Sequence, residues 1–186
     1  MDPRPPYDDV WIFKLDSNFE LVWAKSYGGA LNDRLFYIEE TPEGDFMVGA
    51  TTNSTNGDVS ESFGDYDFWI FKIDADGNLL WEKSYGGSGF DYLIHLVTTD
   101  DGGALAVGDT ESIDGDVIGH DPLHDRDAWV IKLDSIGEIQ WQRCLGGTGG
   151  DFLRSVIVTN DDGYLFTGHT FSNDFDVLGN HGSSDI

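Results

Sequence analysis

Three gap-free copies of one motif, four β-type segments in each copy and glycine-rich turns between those segments predict an all-β protein made of β-propeller blades. The copies read WIFKLDSNFELVWAKSYGGALND from Trp11, WIFKIDADGNLLWEKSYGGSGFD from Trp69 and WVIKLDSIGEIQWQRCLGGTGGD from Trp129, spaced by 58 and then 60 residues. A repeat of that length means a solenoid, a propeller or an array, and four antiparallel strands of five to seven residues plus one longer loop suit a propeller blade. The expected organisation is a short N-terminal tail (1–8) and three repeats (9–66, 67–126 and 127–186), each forming one four-stranded antiparallel blade.

Within the second repeat the strands are expected at 69–73, 79–85, 92–98 and 104–110, where β-branched and aromatic residues concentrate. The first two are joined by Asp74-Ala-Asp-Gly-Asn78, a tight hairpin in which Gly77 supplies a positive φ, and the last two by Asp100-Asp-Gly-Gly103. Segments such as Leu93-Ile-His-Leu-Val97 and Ala104-Leu-Ala-Val107 are apolar on both faces, which fits a sheet stacked between two neighbours. Beyond the glycine pairs, Asp33, Asp91 and Asp151 correspond, and Gly49/Gly108/Gly168, Thr51/Thr110/Thr170, Ser54/Ser112/Ser172 and Asp58/Asp116/Asp176 are aligned as further repeat positions.

Composition narrows the partners. The 186 residues carry 35 Asp plus Glu against 10 Lys plus Arg, a net charge of −25, which excludes nucleic acid and anionic membrane surfaces because phosphate attraction needs clustered cations. Six of the ten basic residues (Lys14, Lys72, Lys132, Lys25, Lys83 and Arg143) occupy repeated strand positions, so no basic binding patch is expected. Each of Lys14, Lys72 and Lys132 shares a strand face with an Asp two residues on, and local ion pairs follow from that alternation. The 25 aromatic residues argue against disorder. No apolar run nears the roughly 18 residues of a membrane span, and residues 1–10 lack the basic and apolar regions of a signal peptide, so a soluble chain is expected.

The run Asp127-Ala-Trp-Val-Ile-Lys-Leu-Asp134, with Gly137, Trp141, Gly146-Gly147, Gly149, Asp151, Asp162-Gly163, Gly168-His-Thr170 and Ser172-Asn-Asp-Phe175, resembles the SBBP-type β-propeller repeat. The resemblance covers nearly the whole chain three times over. It implies an extracellular or cell-surface bacterial protein and a propeller fold, and it carries no catalytic motif.

Candidate sites are then read residue by residue. The six repeated Trp residues (11, 69, 129 and 23, 81, 141) are expected to be packing anchors between blades, with a sugar-stacking set as the competing reading. The Gly-Gly pairs are turns, with Asp33, Asp91 and Asp151 accepting loop amides, because a phosphate cradle would need a helix N-terminus or a basic nest. The loops at 53–67, 112–127 and 172–185 place Asn56/Asp58, Asp114/Asp116 and Asp174/Asp176 at alternate positions around a turn, the pattern of hard oxygen ligands that suits calcium, with Asx turns as the competing reading. His120 and His124 form the one dense His/Asp cluster and the candidate transition-metal site, set against a solvated loop. His95 and His169 are expected to be packed, and Cys144 takes a small strand position without nucleophile context.

Propellers close with typically four to eight blades, so three repeats call for more, from a longer parent chain or from a homo-oligomer, with a segment of a longer propeller expected. Because the first and last repeats begin and stop in the same phase, no clasp between terminal strands is expected. The functional expectation is a noncatalytic scaffold or binding module with a protein or glycan partner. The alternatives are a carbohydrate-binding propeller, using exposed rings such as Phe63, Tyr66 and Phe175, and part of a propeller hydrolase or lyase.

Overall fold

The computed structural model describes residues 7–182. Among them every regular element is a strand: β1 (Val10–Leu15), β2 (Leu21–Tyr27), β3 (Asp33–Glu40), β4 (Phe46–Thr52), β5 (Asp67–Ile73), β6 (Leu79–Tyr85), β7 (Asp91–Thr98), β8 (Ala104–Thr110), β9 (Asp127–Leu133), β10 (Ile139–Leu145), β11 (Asp151–Val158) and β12 (Tyr164–Thr170). The expected strands of the second repeat are all present, longer by at most two residues. Their hairpin forms as its residues dictate. Gly77 sits at φ 75°, and Oδ1 of Asp74 accepts the amides of Asp76 and Asn78 at 2.9 and 2.8 Å.

Antiparallel pairing assembles these strands into two four-stranded sheets, β3-β4-β5-β6 and β7-β8-β9-β10, flanked by two-stranded sheets β1-β2 and β11-β12. Each complete blade therefore takes the third and fourth strands of one sequence repeat and the first and second of the next. This corrects the expectation of one blade per repeat. The seams are continuous ladders, from Phe46↔Ile73 to Thr52↔Asp67 and from Ala104↔Leu133 to Thr110↔Asp127. The short glycine-rich connection steps from one sheet to the next, whereas the long loop returns along the same sheet. A Cβ on Gly86 would strike Oδ1 of Asp67 and come within 2.6 Å of Oδ2 of Asp91, so the step requires glycine there. In the same grouping β11-β12 is the first half of a blade and β1-β2 the second half, and the two stand as separate two-stranded sheets.

One polar latch recurs at each step. The hydroxyls of Thr52, Thr110 and Thr170 donate to Asp33, Asp91 and Asp151, and those of Ser54, Ser112 and Ser172 donate to the same carboxylates at 2.9, 2.7 and 2.7 Å. The amides of Gly29, Gly87 and Gly147 complete the set at 2.7–2.8 Å. The latch shows that Thr52, not Thr51, matches Thr110 and Thr170, and hence that Ala50, not Gly49, matches Gly108 and Gly168. The Gly-Gly turns are held by carboxylates, as the sequence implies.

Sheet faces make the core. Val10, Ile12 and Tyr27 of the first half-sheet pack on Val48, Trp69, Phe71 and Ile73. Phe68 and Ile70 pack on Trp129, Ile131 and Leu133 of the next blade, with the Phe68 and Trp129 ring centroids 4.7 Å apart. Leu105, Val107 and Val130 then meet Tyr164 and Phe166 of the last half-sheet. Trp69 and Trp129 are wholly buried anchors, but Trp11 is 64% exposed. The expected Lys–Asp pairs two residues apart do not form. Lys72 reaches Asp45 and Lys132 reaches Asp101 in the neighbouring hairpin, while Asp74 and Asp134 hold their own turns.

Candidate functional site

Strands β3, β7 and β11 lie side by side as the inner row of the stack, and the Gly-Gly turns and long loops gather at the end where these strands begin. The second residue of each inner strand (Arg34, Tyr92, Phe152) and the residue before β5 and β9 (Tyr66, Arg126) alternate there in space. The Arg34 guanidinium lies 5.8 Å from the Tyr66 ring, Tyr66 stacks on Tyr92 at 5.4 Å, and Arg126 sits 5.3 Å from Tyr92 and 5.9 Å from Phe152. Arg154 adds a further cation at 5.8 Å from Phe152, Phe90 stacks beside Tyr92, and His169 stacks on Phe152 at 4.9 Å. The rings are half-buried, each leaving an edge or face open.

These are the basic residues that the repeat does not fix, Arg4 aside. Their scarcity in an acidic chain was the signal available in the sequence, but only the fold brings them together. They do not make a basic patch. Arg126 bonds Asp109 at 2.9 Å and also engages Glu111, which fixes its fork and returns the local charge toward neutrality. Burial pushes the Asp109 carboxyl up despite that cation. The row therefore offers flat apolar rings, the Arg126 guanidinium neutralised by Asp109 and Glu111, and the further cations Arg34 and Arg154. Such a surface suits a ligand with both apolar faces and hydroxyl or amide edges.

In the loops expected to hold calcium, candidate side-chain oxygens accept backbone amides. Oδ1 of Asn56, Asp114 and Asp174 accepts the amide of Ala30, Ser88 and Thr148 at 2.8, 2.7 and 2.9 Å, and Oδ2 of Asp58 and Asp116 accepts from Gly28 and Gly86. The backbone amides of Asp58, Asp116 and Asp176 donate to the carbonyls of Gly28, Gly86 and Gly146. The alternate-position pattern thus ties each loop to the preceding Gly-Gly turn. Among the described residues no three His, Cys, Asp or Glu side chains are grouped as a metal would need.

His120 and His124 both turn to Asp127. Nδ1 of His120 lies 3.0 Å from Oδ2 of Asp127, both side chains almost fully buried, and Nδ1 of His124 lies at 4.0 Å. In the preceding blade the equivalent Asp67 is held by the Ser62 hydroxyl at 2.6 Å and the Phe63 amide at 2.7 Å. The two-residue insertion replaces that serine with a histidine. Burial pushes the Asp67 carboxyl up to about 6, and Oδ1 of both Asp67 and Asp127 lacks a hydrogen-bond partner. Phe63 and Phe175 stay exposed, the Phe175 ring tilted against His124 at 5.1 Å, so of the three rings singled out as sugar-stacking candidates only Tyr66 joins the row.

Elsewhere, His95 packs 4.0 Å from the Tyr37 ring and burial lowers its pKa. Burial raises the Cys144 thiol to about 12, which leaves almost no thiolate at neutral pH. A second cleft, about 650 Å³, opens at the far end of the inner strands between Tyr37, His95, Asp101, Lys132 and Tyr164. Its one cation is held, since Nζ of Lys132 bonds both oxygens of Asp101.

Fold and site together define an all-β, blade-built chain whose sheets do not close. No protein-family model matches the sequence, and no curated protein matches it. A similar solved structure is the crystal structure of a protein of unknown function from Bacteroides caccae, 11% identical, aligned over 82% of this chain and 44% of that one with a TM-score of 0.48. The chain spans less than half the length of that protein.

Proposed function

We propose that the chain is a noncatalytic propeller-type scaffold and binding module whose ligand-facing surface is the arginine–aromatic row at the start of the inner strands. The observation that carries this reading is the convergence of Arg34, Tyr66, Tyr92, Arg126 and Phe152 on one end of the stack, at positions where the repeat otherwise varies. Loops at one end of a propeller channel are the usual binding surface of the fold. The resemblance to SBBP-type repeats supports placement in a secreted or surface bacterial protein.

Half-buried stacked rings flanked by fixed polar groups favour a carbohydrate as the ligand class, because sugar rings present apolar C–H faces and hydroxyl edges together. A glycan array with the purified chain, followed by calorimetry on any hit, tests this. Tyr92→Ala and Phe152→Ala are expected to weaken binding at least tenfold while leaving far-UV circular dichroism unchanged. Binding that survives both substitutions contradicts the assignment of the site.

A further inference from the structure

The two half-sheets are complementary halves of one blade, and the complete blades show how they would join. By the register of β4 on β5 and β8 on β9, β12 would pair with β1 from Tyr164↔Leu15 through Phe166↔Phe13 and Gly168↔Trp11. Among the described residues no strand pairs with the free edge of either strand, and the Asn180 amide reaches only the last carbonyl of β12, at Thr170. Tyr164 and Phe166 already pack on the β7–β10 blade, and this register puts Leu15, Phe13 and Trp11 on their face. Those three side chains are exposed, whereas their counterparts Trp69, Phe71, Ile73, Trp129, Ile131 and Leu133 are wholly buried. An open cleft of about 370 Å³, lined by Val130, Trp141, Leu145, Tyr164 and Phe166, lies where they would seat.

We propose that β12 pairs with β1 of a second copy of this chain, forming the blade β11-β12-β1-β2 across two molecules. Three local pairings single out a copy of this sequence. Lys25 bonds Asn78 and Lys83 bonds Glu138 between successive blades, and at the equivalent places Arg143 would meet the second copy's Glu20. Lys132 bonds Asp101 across the β8–β9 seam, and the second copy's Lys14 would meet Asp161 in the same way. The hydroxyls of Tyr27 and Tyr85 donate to the carbonyls of Gly77 and Gly137 at 2.7 and 2.6 Å, and each hydroxyl lies within 3.0–3.1 Å of where a Cβ on its glycine would sit. The corresponding pair is Leu145 and Phe19. The tyrosine ring is absent where the glycine is replaced, and the Phe19 ring, 85% exposed, supplies apolar bulk toward the shorter leucine.

Two copies of these 186 residues related by a twofold axis supply six blade equivalents, within the usual four to eight, and would close a ring with two identical seams. Sedimentation equilibrium across the micromolar range, at about 0.15 M salt to screen the net charge, is expected to give twice the 20.6 kDa chain mass. Trp11→Glu, at a position exposed in the single chain, is expected to keep the circular dichroism spectrum and raise the dissociation constant at least roughly thirtyfold. Lys14→Glu and Asp161→Lys should each weaken the dimer several-fold, and the double variant should restore it. A monomeric parent chain, a species larger than a dimer, or a dimer insensitive to Trp11→Glu overturns the proposal.

Discussion

Trp69 and Trp11 occupy the same place in the repeat, on strands with nearly the same sequence, yet one is wholly buried and the other mostly exposed. The contrast extends to the whole of β5 and β1. In β5 every residue but Lys72 is buried because β4 pairs with one edge, β6 with the other, and sheets pack on both faces. In β1 one edge and one face are open, and the burial pattern alternates. A blade strand is therefore not stable by virtue of its own sequence. Its apolar side chains acquire their stabilising role from the neighbouring half-repeat.

The largest expected separation between the two regions comes from tryptophan truncation. Trp69→Ala and Trp129→Ala are expected to cost about 3–5 kcal/mol in guanidinium unfolding, as for large aromatic cores. Trp11→Ala, measured at dilutions where the chain is monomeric, should cost about 1 kcal/mol or less. Comparable losses at Trp11 and Trp69 would erase the distinction.

The polar latch offers a second contrast. Asp91 is buried and accepts from the Gly87 amide, Thr110 and Ser112, so Asp91→Ala leaves three donors without an acceptor and is expected to cost about 2–4 kcal/mol. Asp151 makes the same bonds in the terminal half-sheet, whose local opening is easier, and Asp151→Ala is expected to lower global stability by less than half as much. Urea denaturation of both variants beside the parent checks this order.

A smaller effect depends on pH. Burial raises Asp67 to about 6, so the folded chain holds that proton more tightly than the unfolded chain. Its contribution is greatest below the ordinary carboxylate value near 4 and is lost as pH rises through about 6. Asp67→Asn keeps an acceptor for Ser62 and Phe63 and removes the charge. It is expected to flatten this decline and raise stability near pH 8 by up to about 2 kcal/mol. Asp9→Asn, the exposed counterpart in the half-sheet, should change the pH profile less; an equal effect would mean that burial is not the cause.

Lysine substitution gives the least. Lys132→Met removes an ion pair with Asp101 at 2.8 Å, one partner of which is half-exposed, and should cost about 1 kcal/mol. Lys14→Met removes a 3.3 Å bond to the Ala75 carbonyl and an exposed cation–π contact with Phe46 at 5.5 Å, and should cost less than Lys132→Met in the monomer.

Strand identity was legible in the sequence because β-branched and aromatic runs bounded by Asp-Gly turns leave little choice of element. The grouping of strands was not legible, since a periodic sequence has no intrinsic phase and chain proximity points the wrong way. Residues 28–32 are short and yet change sheet, while residues 53–66 are long and yet return to the same sheet. The signal was present in Gly86 beside Asp67 and Asp91, but reading it needs three dimensions. The calcium pattern at Asp114 and Asp116 was visible, and the structure uses those carboxylates to hold amides. The arginine–aromatic row escaped because Arg126 and Phe152 are 26 residues apart and meet only when successive inner strands align.

Hydrogen–deuterium exchange on the full chain tests the half-repeat blade most directly. Amides in the β4–β5 and β8–β9 seams, residues 46–52 with 67–73 and 104–110 with 127–133, are expected to be among the slowest to exchange. Fast exchange across those seams, with protection confined to the pairs within each sequence repeat, would contradict the half-repeat blade.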